Sequence, residues 1–527
     1  MDSNVLTVLA ILIAGYTLLI EEKRIDLVLR LSWISLSFLV FLVLSLAYFI
    51  YLPVLQALGI ALPLPWVAGF DANLATFTTI IIILVCLAIK LAGHQLPKSR
   101  IHRWKAISEK LVRTQKFEQL AFLLEKYHLQ FITANETRWY DSTRLKLMAP
   151  HDTSPLNFLE QDESFKTVDS RWGKFTAWVV RKCYPIAKLI SKLLPDDTTY
   201  RSELTDSISH LLKSQQFVQH ISQNHPLMCA RFTTFDFATC SEYSAAFLRE
   251  QISNTNSPLY RELRYNQTCS HTGEQYVEPT NVLLDFYFSN IQIAYDVHIW
   301  RPIGDYAKEY VAKQKGPNNF YNQPYQYTYD DKEKWSCPIF MTLHFFNIMV
   351  SRTIFDEYQE HMWLMYVRYI FDEILENYDP QALVDFENEF PTRFDYLMYE
   401  ALDTCAKWVR SIQYTSTPKD LSKATASVPE LSAAKTLGEM LRSIVKTDKL
   451  KKKQIVYYVQ EVVRVLNALD ETDKRFFSRQ VINSTINKSN SKPDEEIVSA
   501  LYFYYQDIDH VHKKDNSTIN NILKRKK

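Results

Sequence analysis

Three apolar segments near the start of the chain constrain its fold more than any other feature. They cover residues 4–20, 31–52 and 74–91, and ionisable residues are almost absent from them. A helix of about 20 apolar residues crosses the hydrocarbon core of a bilayer. A cleaved signal peptide is not favoured, because Asp2 precedes the first segment and Glu21–Arg24 follow it. We therefore predict a transmembrane anchor with three spans over residues 1–97.

The segment between the second and third spans is also apolar. It carries Pro53, Pro63 and Pro65, and three prolines disfavour a further continuous helix. We interpret it as a re-entrant or interfacial hairpin.

The basic residues around the spans predict their orientation. The first loop contains Lys23, Arg24 and Arg30, whereas residues 53–73 contain no Lys or Arg. A basic cluster follows the third span, at Lys98, Arg100, Arg103, Lys105, Lys110 and Arg113. Because cytosolic loops are enriched in Lys and Arg, we expect the N-terminus outside and the rest of the chain in the cytosol, at the inner membrane if the source is bacterial.

Ionisable groups are missing from the middle of all three spans, and Lys90 lies at an end. Transporters and proton relays usually need such groups inside the membrane. The spans therefore favour an anchor over a carrier, and an oligomeric pore stays open as an alternative.

Glycine and cysteine usage excludes several enzyme classes. The chain has nine glycines in 527 residues, and no two of them are closer than ten positions. Phosphate-binding loops, dinucleotide-binding turns and the nucleophile elbow of α/β-hydrolases need closely spaced glycines. Seven cysteines without a CxxC pair are typical of free thiols in a reducing compartment. Lys and Arg total 60 against 59 for Asp and Glu, so no global charge attracts nucleic acid.

The rest of the chain predicts a large, nearly all-α body. Helical periodicity runs through residues 98–413, with the most apolar helices over residues 338–378 as the centre of the core. Residues 315–334, rich in Asn, Gln and Tyr, are expected to form an exposed loop. A composition break at residues 414–428 predicts a linker, and residues 429–527 predict a C-terminal helical subdomain with a basic tail.

Residues 171–192 combine basic and aromatic side chains without a single acid. This pattern is typical of a helix lying on an anionic membrane surface. An ordinary solvated helix explains it equally well, and nucleic-acid binding is less favoured because no known binding motif accompanies it. The predicted membrane-surface residues are Lys98, Arg100, Arg103, Lys105, Arg171, Lys174, Arg181, Lys182, Lys188 and Lys192.

Three small groups of residues are candidates for chemistry. Glu357, Glu360 and His361 nearly repeat a zinc-binding pattern, and Glu357 and His361 would share one face of a helix for acid–base work or a helix ion pair. Metal-ligand types also recur at His225, Cys229, Cys269 and His271, although their spacing fits zinc sites loosely. Around the turn at Pro258, three arginines could bind an anion or a partner, or form salt bridges: Arg249, Arg261 and Arg264.

The sequence favours a binding protein over an enzyme. We interpret it as an integral membrane protein whose cytosolic helical body brings a partner or signal to the membrane, with the bilayer and other protein subunits, including further copies, as partners. One alternative is an oligomeric effector that permeabilises membranes, as in bacterial host defence. Another is a membrane-tethered enzyme with an all-helical site near Glu357 and His361. We expect no cofactor and identify no small-molecule substrate.

Overall fold

The computed structural model describes most of the chain after the first predicted span. The described residues are 20–31, 33–61, 72–92, 96, 100–135, 198–235, 240–316, 318–325, 332–358, 364–382, 384–385, 387–416, 428–487, 493–514 and 517–525. They form α-helices and short 3₁₀ turns, and within these ranges there is no β-strand, only isolated bridges. The prediction of a mainly α fold is confirmed.

The chain divides into two compact units. The first comprises residues 1–217 with 235–237, and the second comprises residues 218–234 and 238–527. The described helices of the first unit are α1 (Glu21–Arg30), α2 (Trp33–Ala57), α3 (Ala72–Ala92), α4 (Ile101–Arg113), α5 (Phe117–Asn135) and α6 (Thr198–Leu212). Helix α7 (Gln215–Asn224) contains the boundary between the units.

Helices α2 and α3 pair into an apolar hairpin. Leu42, Leu46 and Ile83 are buried between them. Within the described residues, these are the two helices long and apolar enough to cross a membrane. Of the three predicted spans, the second and third are thus represented, while the first, residues 4–20, lies outside the described part of the chain except for its last residue.

The bounds of the hairpin differ slightly from the prediction. Helix α2 continues through Pro53 to Ala57, although a proline inside a helix removes one backbone hydrogen bond. The chain then turns at Gly59, whose φ of 69° favours glycine. Residues 62–71, about half of the predicted re-entrant segment, lie outside the described ranges.

Helices α4, α5 and α6 pack together behind the hairpin. Trp104 of α4 is fully buried against Tyr127 and Phe131 of α5, with ring centroids 6.2 and 5.5 Å apart. These helices agree with the helical periodicity predicted from residue 98 onwards.

The second unit contains fourteen further described helices. They are α8 (Pro226–Thr233), α9 (Cys240–Ser253), α10 (Pro258–Tyr265), α11 (Val282–Phe288), α12 (Ile291–Val297), α13 (Trp300–Ala312), α14 (Pro338–Phe355), α15 (Leu364–Asn377), α16 (Arg393–Ser411), α17 (Pro429–Lys446), α18 (Lys452–Glu471), α19 (Arg475–Ile486), α20 (Glu495–Asp507) and α21 (Thr518–Arg525).

Helix α14 forms the centre of this unit. Fourteen of its eighteen residues are buried, and it contacts α9, α10, α12, α13, α15, α16 and α17. Such all-round burial follows from a sequence that is apolar on nearly every face. The prediction of a buried core over residues 338–378 agrees with the burial of α14 and of the inner face of α15.

The predicted C-terminal subdomain shares this compact unit. Helix α17 packs against α15 and α16, and it also packs closely against α19. At Gly438 an added Cβ would lie 2.2 Å from the carbonyl oxygen of Val481, so the α17–α19 crossing requires glycine there. Helix α17 begins at Pro429, the first residue of the predicted subdomain, with Val428 as its N-cap.

Candidate functional site

A buried cluster of charged groups joins the apolar hairpin to α5. Asp26 of α1 is completely buried, and it accepts hydrogen bonds from Arg30 Nε (3.2 Å), Lys126 Nζ (2.6 Å) and the hydroxyl of Tyr127. Arg30 is also buried and donates to the Tyr127 hydroxyl (3.0 Å) and to the backbone oxygen of Lys90 (2.8 Å), at the end of α3. One carboxylate and one guanidinium thus connect three helices.

The electrostatics of this cluster favour a single fixed arrangement. Burial raises the pKa of Tyr127 strongly, and its hydrogen bond to Asp26 raises it further, so the phenol keeps its proton. Two cations face one buried carboxylate, and Arg30 Nη2 is buried without a hydrogen-bond partner. Buried charges are tolerated only when they are paired and hydrogen-bonded, so each member depends on the others.

The sequence did not predict this burial. Arg30 was expected to be a basic residue of a cytosolic loop, but residues 21–30 form a helix whose inner face buries Asp26, Leu27, Leu29 and Arg30. The signal was present, because these four positions lie on one side of a helix.

Of the basic residues predicted at the membrane surface, three are described. Arg103 and Lys105 are exposed on α4, whereas only 5% of Arg100 is exposed, which argues against a headgroup contact for it. Lys98, Arg171, Lys174, Arg181, Lys182, Lys188 and Lys192 lie outside the described residues.

An aromatic pocket lies in the second unit, between the 3₁₀ turns Phe320–Asn322 and Lys334–Ser336 and the helices α14 and α16. Its volume is about 200 Å³. Six aromatic side chains line it: Tyr310, Phe320, Tyr321, Tyr325, Phe340 and Tyr396. Phe340 and Tyr396 are nearly parallel, with ring centroids 6.2 Å apart and an interplanar angle of 19°.

Two cations and one carboxylate accompany these rings. The Arg393 guanidinium stacks on Phe320, 3.9 Å from the ring centroid, and forms a bidentate pair with Glu333. Its Nη1 also donates to the backbone oxygens of Phe320 (3.4 Å) and Pro324 (3.3 Å). Arg393 is therefore satisfied by the protein itself.

Lys334 differs from Arg393. Its Nζ lies 5.4 Å from the ring centroid of Trp335 and 5.7 Å from that of Phe340, in the range of cation–π contacts. Within the described part of the chain, it donates no hydrogen bond and forms no ion pair. The pocket thus has one cation whose charge is not compensated by a contact.

The prediction that residues 315–334 form an exposed loop is met in part, because most of the described residues of this segment are exposed, whereas three are buried; residues 317 and 326–331 lie outside the described ranges. Tyr321 and Tyr325 are buried, and so is Asn322, which donates to the backbone oxygen of Asn377 (3.0 Å). Asn319 fixes the turn by accepting from the amides of Tyr321 and Asn322. The polar composition suggested solvent, but these amides satisfy backbone groups while the tyrosines fill the core.

Glu357 is not on a core helix, which corrects the predicted face shared with His361. Helix α14 ends at Phe355, and Glu357 follows it with a φ of 54°. The amide of Tyr358 donates to Thr353 and that of Glu357 to Ile354, which is the hydrogen-bond pattern of a Schellman motif. The Glu357 carboxylate accepts from Ser416. Glu360 and His361 lie outside the described residues.

The candidate metal ligands are not brought together. Cys229 is fully buried, and burial raises the pKa of its thiol to about 12. Cys269 is exposed, and its backbone forms an isolated β-bridge with Gln275. His225 precedes α8, and His271 lies in an exposed turn. Among the described residues, no three His, Cys, Asp or Glu side chains are grouped as metal ligands would be.

The three arginines around Pro258 have different surroundings. Arg249 pairs with Glu309 of α13, which raises the pKa of Arg249, and it lies over the ring of Tyr306. Arg264 is exposed and donates to the backbone oxygen of Trp335 (3.3 Å). Arg261 is exposed. Burial raises the pKa of the neighbouring Glu262, and the charge of Arg261 lowers that pKa by a smaller amount. The groups that these arginines contact lie on different structural elements. The observed contacts therefore do not bring the three arginines together into a common anion-binding site.

Comparison with known proteins adds no relative. No family model matches the chain, and neither a curated protein nor a solved structure is significantly similar to it.

Proposed function

We propose that the chain is an integral membrane protein whose helical body receives a partner or signal on the cytosolic side. The observation that carries the proposal is the exposure of the apolar hairpin. Only 17% of the most apolar stretch of α2, and the same share of α3, is buried. A core helix of a soluble protein would be mostly buried, so these faces are suited to lipid.

The outward side chains of the hairpin support a lipid environment. Ile34, Phe41 and Leu44 of α2 are each more than 60% exposed, and so is Ile89 of α3. In water such a surface would favour aggregation, whereas in a bilayer it is the expected surface of a span. The cluster of Asp26 and Arg30 supports an anchor that is rigidly connected to the helices behind it.

Charge introduced on the lipid-facing side tests this proposal. A Lys in the middle of a span opposes insertion by about 3 kcal/mol. Charges in both helices of the hairpin, Phe41→Lys with Leu44→Lys and Ile82→Lys with Val85→Lys, are therefore expected to increase the share of the chain that alkaline carbonate extracts, whereas the native chain stays in the membrane fraction. Val511→Lys, at an exposed apolar position of the second unit, is the control. Complete extraction of the native chain by carbonate would contradict membrane integration.

The receiving role of the body is tested by chemical cross-linking of the full-length chain in its native membrane. We expect a defined partner, or a defined oligomer of the chain, to be recovered. Recovery of uncross-linked monomer alone would contradict this role.

The exposed hairpin also supports a second candidate, an oligomeric effector that permeabilises the bilayer. Apolar helices without ionisable groups can enclose a pore only when several copies assemble. Liposomes carrying the purified chain distinguish the two functions. A recruiting protein leaves an entrapped dye in place, whereas an effector releases it together with formation of a defined oligomer.

A further inference from the structure

We propose that the aromatic pocket binds a small planar aromatic carboxylate, with the ring between the aromatic walls and the carboxylate on Lys334. This deepens the proposed function, on which it rests, by naming the chemical class that the body senses. Binding and membrane integration are measured separately, so either can fail alone.

The size of the pocket selects a one- or two-ring ligand. An apolar protein cavity of about 150 Å³ is large enough to bind benzene. The pocket has about 200 Å³, which admits a benzoate or an indole carboxylate and is smaller than typical sites for drug-sized ligands. A nucleotide, with its sugar and phosphates, does not fit into this volume.

The walls select a flat, unsaturated ring. Phe340 and Tyr396 stack on each other, with ring centroids 6.2 Å apart, and form one aromatic wall, while Tyr321 is held in place by stacking on Phe394, with ring centroids 5.2 Å apart. Offset stacking and edge contacts between aromatic rings add to the effect of burial. A saturated ring of the same size would lose this contribution.

The charges select an acid. Arg393 uses its donors on Glu333 and on two backbone oxygens, so it forms part of the wall. The charge of Lys334 is not neutralised in the same way. Glu333 is paired with Arg393. Burial raises the pKa of the Glu400 carboxyl, against the smaller effect of the Lys334 charge, which lowers it. An ammonium beside an aromatic pocket attracts a carboxylate and repels a cationic ligand.

Isothermal titration of the full chain in lipid nanodiscs tests the inference. The probes are indole-3-carboxylate and its neutral analogue, indole-3-carboxamide. We expect the carboxylate to bind at least tenfold more tightly than the carboxamide. Lys334→Ala is expected to remove this preference, and Lys334→Arg to keep the affinity for the carboxylate within about threefold. Lys332→Ala, at an exposed lysine two residues away that does not line the pocket, is the matched control and should bind like the native chain.

A second variant tests the location independently of charge. Ser336 is exposed and lines the pocket, so Ser336→Trp fills the opening without touching the core. It should abolish binding of the carboxylate while the thermal melting temperature stays unchanged. The inference is overturned if neither probe binds, if both bind equally, or if Lys334→Ala or Ser336→Trp binds like the native chain. If the chain remains in the carbonate-washed membrane while these tests fail, only the ligand class is wrong.

Discussion

Asp26 and Arg30 form an ion pair, Nε to Oδ1 at 3.2 Å, in which 0% and 4% of the two side chains are exposed. A pair this deeply buried is held by its additional hydrogen bonds, because desolvation of two charges offsets much of their attraction. Here those bonds come from α3 and α5, so the pair fixes α1 between the apolar hairpin and the helices behind it.

Removal of one partner from this pair should be strongly destabilising. Asp26→Ala leaves Arg30 and Lys126 buried without a counter-charge, and we expect it to cost about 3–5 kcal/mol of unfolding free energy. The matched control is Glu21→Gln on the same helix. Its ion pair with Lys116 is about half exposed, so the change should lower the melting temperature only slightly. Thermal melting in detergent measures both, and equal melting temperatures for the two variants would contradict the role of the buried pair.

Asn266 should be another sensitive position. It is completely buried after α10, where it donates to Tyr276 O (2.9 Å) and accepts from the amide of Glu278 and from Asn281 Nδ2, both at 3.1 Å. Asn266→Ala would leave these buried groups unsatisfied and should cost about 3 kcal/mol. Asn254→Ala, which removes an exposed turn hydrogen bond, should change the melting temperature little. A melting temperature for Asn266→Ala equal to that of the control would show that the packing of residues 276–281 against the end of α10 does not depend on Asn266.

The backbone at Glu357 should limit the stability of the helix end after α14. Its positive φ disfavours a side chain, and glycine is the preferred residue at this position of a Schellman motif. We therefore expect Glu357→Gly to raise the unfolding free energy by up to about 1 kcal/mol, and Glu357→Ala not to raise it. A lower melting temperature for the glycine variant would show that the carboxylate contributes more than the backbone strain removes.

His344 should make stability depend on pH. Burial lowers its pKa, against hydrogen bonds to the backbone of Asn266 and Leu263 that raise it, and the charges of Lys334 and Lys407 lower it further. A group with a lowered folded pKa stabilises the fold above its unfolded pKa, about 6.5 for His, and this stabilisation is lost as the pH falls towards the folded value.

The test compares melting temperatures at pH 7.5 and pH 5.5. His344→Gln cannot take up the proton, so its melting temperature should fall less on acidification than that of the native chain. An identical fall in both proteins would assign the pH dependence to groups other than His344. Glu262 and Asp395 are not among these groups, because burial raises their pKa values and acidification therefore favours the folded state through them.

The sequence predicts the helical class, the two described apolar helices and the central core from periodicity and composition alone. These features are local, because a run such as Ile80–Val85 is apolar whatever it packs against. Asp26 could not be placed in the same way. A carboxylate is buried only when cations and donors from distant positions reach it, and Lys126 and Tyr127 are a hundred residues away.

The aromatic pocket could not be predicted from the sequence for a related reason. Its walls come from Tyr321, Phe340 and Tyr396, which are far apart along the chain and lie in segments of different composition. In the polar segment, tyrosines flanked by Asn and Gln suggested an exposed loop, since burial of Asn322 depends on its bond to Asn377. Pairings of this kind between distant residues are not visible in periodicity.

The side of the membrane on which the body lies is measured most directly through Cys269, which is exposed in the second unit. A membrane-impermeant maleimide is applied to intact and to permeabilised cells that express the native chain or Cys269→Ser. The carbonate-resistant membrane fraction is then examined for labelling, and the difference between the two chains isolates Cys269. A cytosolic body predicts that this difference appears only after permeabilisation. Equal labelling of Cys269 in intact cells, or absence of the chain from the carbonate-resistant fraction, would contradict the account.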